Sequence, residues 1–143
     1  SLHTTLYEGW LAGANGFGGG TTNHAWSGGP LTVIAQYLMG VSVREPGWKV
    51  FSVCPEPVRF QKADISIPTI RGMVKTAFQL GETTDVYSIT VPRDTHAYYY
   101  LPCQDAAQAK GAEAYICTDS KVQKEGRLCL LLPAGNYKFK VRK

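Results

Sequence analysis

Two polar residues near the start of the chain, each flanked by aromatics, have the makings of chemistry on a sugar. Thr4-Thr5-Leu6-Tyr7-Glu8-Gly9-Trp10 sets a carboxylate between a phenol and an indole. Asn23-His24-Ala25-Trp26 sets an amide and an imidazole beside a second indole. A carboxylate can take a proton from water, and a flat aromatic face can hold a pyranose ring. Gly13-Ala14-Asn15-Gly16-Phe17-Gly18-Gly19-Gly20 joins the two segments as an arc whose backbone can turn tightly. The arc matches neither G-x-x-x-x-G-K-[ST] nor G-x-G-x-x-G, so it is not read as a phosphate cradle. Taken alone, Glu8 fits a solvated or helix-capping carboxylate as well as a base. His24 taken alone fits a hydrogen-bonded packing residue as well as a ligand-binding one. His3 and His96 have no such company and read as surface residues.

The elements that must position these groups change character near residue 46. Ahead of it the spacing predicts one helix. Pro30 suits a first helical position behind Ser27 or Gly28, and Leu31, Ile34, Ala35 and Leu38 repeat at helical spacing. Gly40 is the stop signal. Val33, Tyr37 and Met39 widen the apolar stripe, so a Leu31–Met39 helix needs cover on several sides. Without such cover the chain is expected to associate, as a homodimer that buries or exchanges residues 1–40.

After Pro46 the pattern has period two. Lys49–Cys54, Val58–Gln61, Gly72–Leu80, Val86–Val91, Thr95–Leu101, Ala114–Thr118, Arg127–Leu132 and Asn136–Arg142 read as strands. Pro55, Pro57, Pro68, Gly81, Pro92-Arg93-Asp94, Pro102 and Pro133-Ala134-Gly135 separate them. Short strands at this spacing predict a mainly β fold, a jelly-roll-like antiparallel β-sandwich preceded by the glycine-rich segment and one helix. Tyr98-Tyr99-Tyr100 must alternate across one strand, with at least one ring toward the core. Cys103–Glu113, rich in alanine and glutamine, fits either a short helix or a loop.

Bulk properties narrow the function classes. With 143 residues, 44% hydrophobic and 18% charged, the chain is a folded domain and not a disordered tail. Its net charge of +4 is modest. Lys138, Lys140 and Arg142 alternate with Tyr137, Phe139 and Val141 and read as the wet face of a strand, which argues against a nucleic-acid partner. The longest apolar run, Leu31 to Val43, is interrupted by Thr32, Gln36, Gly40 and Ser42 and falls short of the roughly 20 residues of a membrane span. Cys54, Cys103, Cys117 and Cys129 form no C-x-x-C pair, so they read as buried free thiols and no metal or other cofactor is expected.

Several segments together resemble the C-terminal part of a bacterial α-L-rhamnosidase-type glycoside hydrolase. They are Thr4–Glu8, the Asn23-His24 step running to Pro30, the Glu45-Pro46-Gly47-Trp48 turn, Cys54-Pro55, Val91-Pro92 with Thr95 following, and Pro133-Ala134-Gly135-Asn136-Tyr137. The resemblance implies that residues 1–45 are the end of a catalytic (α/α)6 helical barrel and residues 46–143 a C-terminal β-sandwich. It implies that Glu8 is the general base of an inverting hydrolysis, deprotonating a water that attacks the anomeric carbon. Asn23 and His24 would then bind the sugar or hold Glu8, with Tyr7, Trp10 and Trp26 as stacking surface. An inverting site also needs a general acid, which the resemblance assigns to the barrel upstream, so this chain alone is expected not to turn over. The expected ligand of the parent is a terminal rhamnose or similar deoxyhexose, and the expected location is the bacterial periplasm or cell surface, with the cytoplasm also open. The alternative is a non-catalytic sandwich that buttresses the barrel or binds carbohydrate weakly.

Overall fold

The computed structural model describes residues 28–143. The chain divides into two compact units, Ser1–Ile34 and Ala35–Lys143. In the first, helix α1 (Gly29–Val33) begins at the position expected from Pro30, with Gly28 as a cap that offers no side chain to the free amides. Helical structure runs through Leu38, one residue short of the expected end at Met39, but it changes type on the way. The α-helical stretch ends at Val33 and a turn of π-helix, Ile34–Leu38, takes over. Two β-branched residues stand at that junction, and such residues crowd the preceding helical turn. Packing completes the change: Met39 is 0% exposed and Leu38 packs on the sandwich core. The end of the expected apolar stripe is therefore an anchor of the sandwich, which removes part of the argument for association.

Nine strands are described: β1 (Ser42–Val43), β2 (Val50–Val53), β3 (Lys62–Thr69), β4 (Gly72–Gln79), β5 (Thr84–Val91), β6 (His96–Leu101), β7 (Ala109–Lys110), β8 (Leu128–Leu132) and β9 (Gly135–Arg142). They form a four-stranded sheet in the order β1-β2-β6-β8 and a five-stranded sheet in the order β3-β4-β5-β9-β7. Period-two alternation turns one face of each sheet inward. Phe51, Val53, Ala97, Tyr99, Leu101, Leu130 and Leu132 from the first meet Val74, Phe78, Tyr87, Ile89, Val91, Phe139 and Val141 from the second in one core. This is the expected β-sandwich. Its pairing departs from the expectation at one place, since β2 and β6 run parallel. A parallel pair needs a long crossover, and the excursion of β3, β4 and β5 into the other sheet supplies it.

Two expected strands are absent, and three were not anticipated: the long β3 and the two-residue β1 and β7. At Val58–Gln61 the chain turns instead: Val58 has φ 29 and is 86% exposed, and the Phe60 amide donates to the Pro57 carbonyl at 2.7 Å. Ala114–Thr118 is a 3-10 turn at Glu113–Tyr115 followed by a single bridge from Ile116 to Leu130. Strand β3 pairs with β4 along its whole length although it contains Pro68. Proline is tolerated there because β3 is an edge strand. The Cys103–Glu113 region, expected as a short helix or a loop, holds a short 3-10 turn at Ala106–Gln108 capped by Asp105, and then a strand that neither reading named, β7.

Candidate functional site

Glu8, Tyr7, Trp10, Asn23, His24 and Trp26 all lie outside the described residues, as does the glycine arc. Among the described residues, several carboxylates do local structural work. Asp85, buried, accepts from the Gly81 amide at 3.0 Å and pairs with Lys143 at 3.4 Å. Asp105 and Asp119 cap 3-10 turns, and Glu113 accepts from the Gly111 amide at 3.0 Å. Glu56 pairs with Arg127. His96 is exposed, as expected. No group of three His, Cys, Asp or Glu among the described residues is placed to hold a metal ion.

The motifs behind the family resemblance act as turn devices in the sandwich. At Pro46-Gly47-Trp48 the backbone twists through φ 67 at Gly47 and φ 58 at Trp48. Arg71 holds that turn from the other sheet, its Nε donating to the Gly47 carbonyl at 2.7 Å. The Trp48 ring lies 5.8 Å from that of Phe51 and is half-buried on the core. After Val91-Pro92, the buried Thr95 hydroxyl donates to the Pro92 carbonyl at 2.7 Å. In Pro133–Tyr137 the Tyr137 hydroxyl donates back to the Pro133 carbonyl at 2.9 Å. Cys54 sits directly opposite Gly40, whose carbonyl accepts from the Cys54 amide at 3.1 Å.

Beyond that contact, the outer face of the four-stranded sheet carries a cluster of thiols and phenols. Tyr98, Tyr99 and Tyr100 alternate as expected: Tyr99 points between the sheets, while Tyr98 and Tyr100 face the other way with Cys54, Cys117 and Cys129. The Tyr100 hydroxyl donates to the Val122 carbonyl at 2.8 Å, and the Lys124 ammonium stands 4.8 Å above its ring. All four cysteines are free thiols, and Cys117 is the one that is only half-buried. Burial, reinforced by the neighbouring Cys117, pushes the Cys129 thiol up to about 12. Burial likewise pushes Tyr100 up to about 12. At neutral pH Cys129 is thus a protonated packing group and not a nucleophile. A polar hollow of about 340 Å³ adjoins this cluster and is lined by Arg44, Ser52, Cys54, Glu56 and Lys124, among others. Its charged groups are mostly engaged with one another: Arg44 Nε donates to Ser52 at 3.0 Å, and Arg127 clamps Glu56 and the Pro55 carbonyl.

A second, larger feature lies on the solvent face of the five-stranded sheet. Two adjoining hollows of about 470 and 380 Å³ share Asp64, Ala77, Ser88 and Lys138. Sequence reading missed this surface because it took no strand from residues 62–69. The signal was there: Lys62, Asp64, Ser66 and Pro68 alternate with Ala63, Ile65 and Ile67.

Residues 40–115 match the family model described as the bacterial alpha-L-rhamnosidase C-terminal domain. No curated protein sequence matches the chain. Three solved structures share its fold. The Streptomyces avermitilis alpha-L-rhamnosidase complexed with L-rhamnose superposes with a TM-score of 0.72 at 18% identity, over 86% of this chain and 12% of that one. The alpha-L-rhamnosidase of Dictyoglomus thermophilum gives 0.70 at 24% identity, over 88% and 15%. That of Aspergillus terreus gives 0.64 at 22%, over 86% and 12%. The chain therefore spans between 12% and 15% of the length of these enzymes. Among the described residues no helix is long and apolar enough to cross a membrane.

Proposed function

Because the chain belongs to the bacterial α-L-rhamnosidase C-terminal domain family, we propose that it is the C-terminal portion of a glycoside hydrolase that removes terminal α-L-rhamnosides with inversion. The observation that carries this reading is the family match over residues 40–115. In it, the sandwich buttresses a helical barrel, and the segment ahead of it brings Glu8 to the sugar. Glu8 deprotonates the attacking water from the face opposite the leaving group. The general acid comes from the upstream barrel, placed roughly 6.5–9.5 Å from Glu8 so that the water fits between them. Asn23 and His24 hold the sugar hydroxyls or orient Glu8, while Tyr7, Trp10 and Trp26 stack on the ring.

The test is made on the full-length parent with an aryl α-L-rhamnoside as substrate. Glu8→Gln keeps the shape of the side chain and removes its basicity. A loss of kcat on the order of 10²–10⁴-fold, the usual contribution of a positioned base, is expected. The 143-residue chain by itself is expected to release no aglycone. Hydrolysis by this chain alone, abolished by Glu8→Gln, overturns the assignment of the acid. Full activity of Glu8→Gln in the parent overturns the assignment of the base.

A further inference from the structure

The five-stranded sheet turns a shaped and charged face to solvent. Of its two inner strands, β5 carries short residues outward, Val86, Ser88 and Thr90, while β4 carries Ala77 between the longer Lys75 and Gln79. The strands on either side, β3 and β9, carry longer ones: Lys62 and Asp64 on one, Asn136, Lys138 and Lys140 on the other. The short residues of β5, flanked by the longer ones of β4 and β9, floor a trough that runs along the strand and widens over Ala77, and the two hollows are its two halves. From Val86 to Thr90 the floor is about 13 Å long, at roughly 3.4 Å per residue. That length suits an extended polymer better than a single small molecule.

The charge on this face is one-sided. Lys62, Lys75, Lys110, Lys138, Lys140 and Arg142 all stand exposed on it, against the single carboxylate of Asp64. Among the described residues none of the six has an ion-pair partner. Lys110 and Lys140 are direct cross-strand partners, an arrangement that destabilises a sheet. Lysines on edge strands discourage unwanted pairing, which accounts for Lys62 on β3 and Lys110 on β7. It does not account for Lys75, Lys138 and Lys140, which lie on interior strands. A cost in stability without a structural return is expected where a ligand is bound.

The register also shows what sort of polyanion fits. One row across the sheet reads Asp64, Ala77, Ser88, Lys138, and the next reads Ser66, Lys75, Thr90, Asn136. Each row thus offers one cation together with hydroxyl, amide or carboxylate groups. Such a mixture suits a chain that alternates carboxylates with hydroxyls. No aromatic residue alternates onto this face, so it lacks the stacking platform of a single-stranded nucleic-acid groove. Asp64 accepts from hydroxyls, which a polyhydroxylated chain supplies along its length and a DNA backbone does not. We propose that the trough along β4 and β5 binds an extended polyuronate, an acidic polysaccharide whose carboxylates sit on Lys75, Lys138 and Lys140 and whose hydroxyls bond to Asp64, Ser88 and Asn136. The binding engages residues 62–140 alone and requires no catalytic role for Glu8.

The experiment uses the purified chain with polygalacturonate at low salt, followed by calorimetry. Saturable binding is expected, with neutral dextran giving none. Three lysine contacts predict a slope of log K against log salt near about −2, if counterion release follows its single-strand value. The pair Lys138→Glu and Lys140→Glu is expected to weaken binding by more than about tenfold, while Lys121→Glu with Lys124→Glu, off this face, leaves it unchanged. Ser88→Trp fills the trough without altering its charge and is expected to abolish binding, with circular dichroism confirming that each variant stays folded. Three results overturn the proposal: no saturable binding to polygalacturonate, an equal loss in both lysine pairs, or tighter binding of single-stranded DNA at the same salt.

Discussion

Replacing Gly40 with alanine tests how the chain enters the sandwich. Gly40 has φ 65, a conformation that costs an alanine about 1–2 kcal/mol. The space is also closed: an added Cβ would stand 2.0 Å from the Cys54 carbonyl oxygen and 2.4 Å from its carbon. Ordinary contact begins at 3.4 Å, so the two segments must part by more than an ångström. Their separation strains the hydrogen bonds from the Cys54 amide to the Gly40 carbonyl, 3.1 Å, and from the Glu56 amide to the Leu38 carbonyl, 2.8 Å. At about 0.5–1.5 kcal/mol each, their loss brings the total to about 2–5 kcal/mol. Gly126 supplies the control, because it has φ 71 but nothing within 4 Å of the added atom. Gly126→Ala therefore measures the conformational part alone, about 1–2 kcal/mol.

Urea unfolding of the two variants separates the effects, read as a change in midpoint at constant m. Gly40→Ala is expected to lose at least about 1–3 kcal/mol more than Gly126→Ala, the sum of its two hydrogen bonds. Equal losses would refute the close approach of residues 40 and 54.

Three further outcomes follow from buried hydroxyl and thiol groups. The Tyr99 hydroxyl is fully buried and without a hydrogen-bond partner among the described residues, so Tyr99→Phe is expected to stabilise the chain by about 1 kcal/mol, and a lower melting temperature would contradict this. Burial raises the pKa of Tyr87, Tyr99 and Tyr100, the first and last to about 12; the unfolded chain then releases protons first, near pH 10, so stability is intact below that and falls as pH rises toward 12. Tyr99→Phe should flatten this alkaline decline by up to about 1.4 kcal/mol per pH unit, and an unchanged slope would show that Tyr99 ionises as freely folded as unfolded. Mild alkylation at pH 8 should label the half-buried Cys117 before Cys129, whose thiol is raised to about 12, and peptide mapping that found Cys129 modified first would reverse the packing described for them.

Much of the sandwich could be read from residue order because its strands alternate cleanly. In Gly72–Gln79 and Thr84–Val91 the apolar Val74, Phe78, Tyr87, Ile89 and Val91 mark the inner face, with Thr76 and Asp85 as its polar exceptions, and turn residues bracket both. The failures have physical causes. Lys62–Thr69 was hidden by Pro68, which reads as a breaker unless the strand is known to lie at an edge. Val58–Gln61 alternates like a strand, but the prolines at 55 and 57 and the turn at Phe60 leave it no partner. Within the Leu31–Met39 helix the change to π geometry was not legible, because periodicity does not say that Met39 is claimed by a sheet core. The trough face was lost with Lys62–Thr69, and even with that strand in hand it takes shape only once four strands are in register, its charges being scattered along the chain from Lys62 to Lys140.

Family membership and the proposed chemistry rest on different residues. The family match covers residues 40–115, while the candidate catalytic and sugar-binding residues lie between Tyr7 and Trp26. Within the matched span the recognisable motifs are structural: Gly40 against Cys54, Gly47 held by Arg71, and Thr95 closing the Pro92 turn. These contacts shape chain reversals. Separate roles predict separate effects. Glu8→Gln in the parent should lower turnover while leaving the melting temperature where it was. Gly40→Ala should do the reverse at low temperature, sparing turnover until the weakened sandwich unfolds. Were Gly40→Ala to abolish turnover in a still-folded parent, the entry to the sandwich would itself be holding the catalytic segment in place, and the separation of the two roles would fail.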